Sequence, residues 1–204
     1  MGADLARQQE RQQAALDKRW DQLLRCVPEE VLQALIVAFA DNEAAAAPLG
    51  VDGAEVSLVV VVPSLSTIPE RRPGLTKSGN LSLKKMTKTE TAKTYKQLVF
   101  GHVLVTLREA FAVAPGLKSA RIVALRSSSD ATKGRPEALL AATCSREALA
   151  AIPWSHVDAA DAAVQSLSDA VFIEKGVTRA LQPIPADKHP DIKKVLSVVD
   201  FSEG

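Results

Sequence analysis

At 204 residues and 47% hydrophobic content, the chain is long enough to bury a sizeable core without disulfides or metals, and its composition lies well above that of a disordered chain. A net charge of +1 excludes a strong overall attraction to polyanions, and an aromatic share of 4% leaves few planar side chains for stacking on bases or sugars. Met1 to Gln13 lack the apolar stretch of a secretion signal, and the longest apolar runs, Val56–Val62 and Leu98–Leu107, fall far short of a membrane span. The expected location is therefore cytoplasmic, with no transmembrane segment.

Residues 3–26 read as a helix free of Gly and Pro. It is polar on every side from Arg7 to Gln13, then carries a narrow apolar face at Leu16, Trp20, Leu23, Leu24 and Val27. A helix polar all round is a linker or a partner-binding arm, and the short apolar seam is too little for a coiled coil. Residues 1–27 are accordingly set apart as an arm, and 28–204 are expected as a single α+β domain. Pro28 opens a second helix with Glu29 and Glu30 near its positive end and Val31, Leu32, Leu35, Ile36 and Phe39 on its buried face. Glu43–Gly53 reads as a loop, or as a short strand turning at Asp52-Gly53.

Val56–Val62 is almost wholly β-branched, which indicates a central strand covered on both faces and ended by Pro63. The prolines and glycines of Ser64–Asn80 predict a long loop, with a strand starting at Leu81-Ser82-Leu83. The basic loop as a whole spans 64–86, and loops of that length usually have a function. Thr87 and Glu90 form a T-x-x-E capping box that opens a long helix running to about Ala114, before Pro115-Gly116. The second half of that helix is apolar over most of its circumference, so it is expected to be central and buried.

Ala120–Arg126 and Ala138–Cys144 are expected as strands of an antiparallel hairpin across the turn-rich Ser127–Pro136. Ser145, Arg146 and Glu147 open a short helix, and Val157–Leu167 is an Ala-rich helix. Asp158, Asp161 and Asp169 lie in or beside that segment and read as its solvated face. Val171–Ile173 is ambiguous, Leu181–Pro190 extended. Pro190 begins a terminal helix with Ile192, Val195, Leu196 and Val199 on one face. Segregated strands and helices with an antiparallel pair predict an α+β fold. Its small mixed or antiparallel sheet of three to five strands is packed by the long helix and by short C-terminal helices, with the N-terminal helices projecting or packing on one side.

Little in the sequence points to catalysis. His102, His156 and His189 are scattered, with no Cys or carboxylate at ligand spacing, so no metal is expected. His102 falls among apolar residues and reads as a satisfied core histidine. Cys26 and Cys144 read as buried thiols of a reducing compartment. There is no G-x-S-x-G elbow, and Ser127–Asp130 reads as a turn. Gly74–Gly79 superficially resembles a phosphate-binding loop but places Thr76 where glycine should precede the lysine, so no nucleotide or other cofactor is expected. The least implausible participants in an unfamiliar active site are Ser127–Asp130, His102 and His156.

Charge distribution carries more information. Arg71, Arg72, Lys77, Lys84, Lys85, Lys88, Lys93 and Lys96 lie between Glu70 and Lys96, opposed only by Glu70 and Glu90, so this window is strongly positive and the remainder net negative. The first reading is a non-catalytic interaction or scaffold module acting through protein–protein contacts: the window meets an acidic partner, or another copy in self-association. The alternative is a phosphate-contacting, weakly sequence-specific nucleic-acid-binding module using segment 70–96, because interleaved hydroxyls and a helix N-terminus also suit phosphate. An anionic lipid surface ranks third.

Overall fold

The computed structural model describes residues 2–126 and 136–199. Two helices lead, α1 (Gly2–Leu24) and α2 (Pro28–Ala38). Four strands follow: β1 (Ala46–Asp52), β2 (Glu55–Val61), β3 (Arg71–Leu75) and β4 (Leu81–Lys85). The long helix α3 (Lys88–Val113) precedes β5 (Ser119–Arg126) and β6 (Glu137–Ser145). The chain ends with α4 (Arg146–Ala150), α5 (Ala159–Ser166), β7 (Leu167–Lys175), β8 (Ala180–Gln182) and α6 (Pro190–Val198). The fold is α+β, with a long central helix and short C-terminal helices.

The main sheet has the order β1-β2-β5-β6-β7-β8, which is six strands rather than the expected three to five. Among the described residues only the β2–β5 pairing is parallel. A parallel pair needs a crossover, and α3 lies in the connection between the two strands. Alternation along β2 sends Val56, Leu58 and Val60 into the main core, together with Val99, Val103 and Leu107 of α3. Val59 points to the other face and joins Val123, Leu125, Ala138, Ile184 and Ile192 of α6. The expected two-sided cover thus holds at one end of the sheet. At the other end, Ser57 is half-buried and Arg121 is exposed, its Nε 2.7 Å from Glu55 Oε1.

The expected antiparallel hairpin forms as β5 and β6. Segment 46–52 takes the strand alternative and turns at Gly53, whose φ of 57° is left-handed and open to glycine. Two other segments differ from the sequence reading. The expected loop contains β3, which pairs antiparallel with β4 in a separate two-stranded ribbon. Pro73 is tolerated because a ribbon strand has an unpaired edge where a missing N–H costs nothing. The ambiguous Val171–Ile173 lies within the nine-residue β7. Asp169 lies beside α5 and is exposed, as expected. It sits in β7 at φ 49°, where the register with β6 shifts, so a bulge breaks the alternation that would have revealed the strand. Asp158, in turn, is the N-cap of α5, accepting from the Asp161 N–H at 2.9 Å.

The C-terminal end of α3 is closed by the first side chain of α4. Arg146 Nη2 donates to the carbonyls of Phe111 and Ala114, each at 2.9 Å, and Nε donates to Leu117 at 2.7 Å. Its guanidinium also lies 5.0 Å from the Phe111 ring centroid. One cation thus satisfies carbonyls that the helix leaves orphaned, at the end where its dipole is negative. Next to it, Gly116 lets α1 dock: a Cβ there would run into the Leu23 and Leu24 carbonyl oxygens. From Ala6 to Asp21 α1 is exposed, including Leu16 and Trp20. Among the described residues no helix is long and apolar enough to cross a membrane.

Arg146→Met should lower stability by about 3 kcal/mol, the scale for losing charge-assisted bonds to part-buried carbonyls. Arg146→Lys should recover little, because an ammonium lacks the fork that reaches three carbonyls at once. Urea denaturation of the three proteins measures both; equal stability of Lys and Arg would show that charge alone holds this corner.

Candidate interaction surface

Because directly opposed residues of an antiparallel pair share a face, the ribbon register sorts its side chains into two sets. Arg71, Pro73 and Leu75 lie opposite Lys85, Leu83 and Leu81, while Arg72 and Gly74 lie opposite Lys84 and Ser82. In the second set Arg72 is tied to the body. Arg72 donates to Glu90 Oε1 from Nε at 2.9 Å and from Nη2 at 2.6 Å, and the Lys84 stem crosses Gly74 so closely that a Cβ would meet its Cδ at 2.9 Å. The first set stays in solvent: Leu75, Leu81 and Leu83 are 59%, 80% and 65% exposed. At the tip, Thr76 N–H donates to the Asn80 carbonyl at 2.8 Å and Gly79 adopts φ 82°. Gly74–Gly79 is therefore a strand followed by a hairpin turn, without the strand-to-helix context of a nucleotide loop.

The root of the ribbon is fixed to the start of α3. Thr87 Oγ1 accepts from the Glu90 N–H at 3.2 Å, and Glu90 Oε2 accepts from the Thr87 N–H at 2.8 Å, completing the expected capping box. The backbone N–H of Thr87, then the Arg72 guanidinium, then the Thr87 hydroxyl hold the Glu90 carboxyl down at about 2.

The eight cations of the basic window do not share one surface. Arg71, Lys77, Lys84 and Lys85 belong to the ribbon or its turn, and Lys88 stands at its root on α3. Arg72 is engaged by Glu90. Lys93 is exposed on α3 and lies near enough to Asp158 to favour that carboxylate. Lys96 is an interior residue: its Nζ is 2.6 Å from Glu174 Oε1, with the two side chains 17% and 15% exposed. It also lies 5.5 and 5.3 Å from the ring centroids of Phe100 and Phe172. Burial alone would raise the Glu174 carboxyl, but hydrogen bonds from Lys96 and Arg179 more than offset it and leave it below its ordinary value.

A cleft of about 430 Å³ opens beside the ribbon root. Its walls come from Leu65–Glu70, Lys85–Lys88, the first turns of α3, Arg126 at the end of β5, and Thr178–Leu181 at β8. Tyr95 is buried there and donates its hydroxyl to the Pro63 carbonyl at 3.0 Å. Arg126 Nε is 3.0 Å from Glu137 Oε2. Burial raises the Tyr95 phenol, and the nearby Arg126 guanidinium partly counters it. Neither the exposed leucines nor this cleft was singled out from the sequence. Alternation in Leu81-Ser82-Leu83-Lys84-Lys85 marks a one-sided strand, but nothing local says that its apolar side faces water.

The other candidates stay apart from this region. His102 departs from expectation: its ring is half-buried, and Nε2 is buried with no partner among the described residues. His156 is exposed, and His189 precedes α6 without capping it through its side chain. Ser127–Asp130 lies outside the described residues. Both cysteines are free and buried; burial raises Cys26 and pushes Cys144 to about 11, so neither thiol is a ready nucleophile. Among the described residues no group of three His, Cys, Asp or Glu side chains could hold a metal ion. Comparison with protein-family models, curated proteins and solved structures finds no match for this chain.

The depressed Glu90 carboxyl fixes a sign for acid sensitivity. A folded value near 2 against an ordinary 4.5 means that its stabilisation is complete above about 4.5 and is lost as pH falls toward 2. Thermal midpoints measured from pH 6 to pH 2 should fall more steeply for the wild type than for Glu90→Gln. Parallel curves would show that the carboxylate adds nothing beyond the neutral cap.

Proposed function

We propose that this chain is a non-catalytic interaction module that docks its β3–β4 ribbon onto another protein. The exposure of Leu75, Leu81 and Leu83 on a single ribbon face carries the reading. An isolated two-stranded ribbon is marginal in water, and complete burial of each leucine is worth about 2 kcal/mol. Cover by a partner would therefore stabilise the ribbon and supply affinity together. Arg71 and Lys85 share the leucines' face, so the matching surface is an apolar groove or strand edge rimmed by carboxylates. The lysines of β4 disfavour edge pairing between identical copies, which turns the reading toward a different, acidic protein. The exposed apolar side chains of α1 offer a second contact of the same kind.

A second reading is phosphate contact with nucleic acid through the exposed members of the window, Arg71, Lys77, Lys84, Lys85, Lys88 and Lys93. Their crowding around one projecting ribbon favours it. Few aromatics are available for stacking, so binding would be weakly sequence-specific and steeply salt-dependent.

One experiment separates the two. A photo-crosslinking amino acid is placed at Leu81, or for comparison at Val177, which is 98% exposed on the β7–β8 turn, and the protein is irradiated in its native cells. The protein-docking reading expects a discrete protein adduct from position 81 alone, lost on Leu75→Ser with Leu83→Ser. Equal labelling from both positions, or none from 81, would sink it. Nucleic-acid adducts at position 81, together with low-salt anisotropy binding abolished by Lys84, Lys85 and Lys88→Gln, would establish the second reading instead.

A further inference from the structure

The cleft at the ribbon root has a chemistry of its own, independent of whether the ribbon docks a protein. We infer that it binds a small amphipathic organic anion, with an apolar body among Leu65, Ile68, Met86 and Leu181 and a carboxylate or phosphate head beside Lys85, Lys88 and Arg126. Three observations lead there. The first is size: about 430 Å³ falls in the range of small-molecule pockets. The second is lining. The walls are mostly apolar and carry Lys85, Lys88, Arg126 and Glu70; with Arg126 paired to Glu137, two lysines stand against the single carboxylate of Glu70. A neutral apolar ligand would leave that excess uncompensated, and a cation would be repelled.

The third is position. The cleft lies where β5 ends at Arg126 and where the chain leaves β2 through Pro63, so it stands outside the carboxyl ends of the parallel pair. Open sheets use the space outside the carboxyl ends of parallel strands for ligands. The first turn of α3 borders the same space through Lys88 and Thr91, and its dipole adds positive potential. Arg126 is braced by Glu137 and lies beside the Tyr95 phenol, whose hydroxyl is held by the Pro63 carbonyl. The anchoring cation is therefore positioned before a ligand arrives.

Tyr95 is the only tyrosine in the sequence, so protein labelled with 3-fluorotyrosine gives one ¹⁹F resonance that reports on the cleft. The full-length protein is titrated with monomeric octanoate, octyl phosphate, 1-octanol and inorganic phosphate. The expected result is a saturable shift with at least one of the two octyl anions, the tighter one naming the head group. The octanol and phosphate shifts should be absent or weaker by about tenfold or more. Lys85→Gln with Lys88→Gln, both exposed and so harmless to folding, should weaken the octyl anion by about tenfold, whereas Lys193→Gln on α6 should not. No shift with either octyl anion up to about 10 mM overturns the inference. So does octanol or free phosphate matching the octyl anion, or a double lysine variant that binds as the wild type does.

Discussion

The parallel pairing of β2 with β5 is the constraint from which most of this architecture follows. Two strands that run the same way side by side cannot be joined by a hairpin, so the chain must return the length of the sheet before β5 begins. The α3 helix makes that return and fills the core while doing so: Val99, Phe100, Val103 and Leu107 are wholly buried. At 26 residues it is about 39 Å long, against about 23 Å for the seven residues of β2. The helix is thus longer than the strand it returns along, and its first turn contributes no buried residue. At that end the chain forms the ribbon and the cleft.

A helix that carries the core needs both ends satisfied, and an arginine contributes at each. Arg146 closes the carboxyl end by bonding three carbonyls directly. Arg72 acts at the amino end at one remove, by holding the Glu90 carboxylate that completes the capping box. The environments differ, and so do the consequences. Around Arg146 the groups are part-buried, so its bonds bear on stability with little screening. At Glu90 the pair is open to water, and its effect belongs to pH and salt. Lys88, Lys93 and the other cations near this end stand where the helix dipole disfavours them, so Glu90 is the group that makes the arrangement tolerable.

What could be read from the sequence divides along a physical line. Elements with a buried face or a local cap were legible: β2, the β5–β6 hairpin, α3 with its capping box, and α6. Each is specified by residues within a few positions of one another. Of the ribbon, β4 was expected from Leu81-Ser82-Leu83, but β3 was not, because it is exposed along most of its length and carries a proline that reads as a breaker. Nor was β7, where the Asp169 bulge interrupts alternation. Interactions across the chain were illegible altogether. Arg146 meets carbonyls 29 to 35 residues away, and Lys96 meets Glu174 at a separation of 78. In sequence Lys96 is one more member of a basic run, and only the fold separates it from lysines that face water. The same holds for the leucines: Leu81 and Leu83 have the composition of a core strand and the exposure of a surface.

That sorting changes what the basic window can attract. With Arg72 and Lys96 engaged internally, Arg71 and Lys85 flank three exposed leucines on one ribbon face rather than forming an unbroken basic stripe. A phosphate backbone would neutralise the cations and leave the leucines in water. A protein surface of opposite character would use both, with apolar burial supplying affinity that salt scarcely weakens and charge supplying orientation and encounter rate. Cations interleaved with apolar side chains on one face are thus better matched to a protein than to a nucleic acid. The cleft follows the same logic on a smaller scale, since its apolar walls and positive rim ask for a ligand with both a body and a charge.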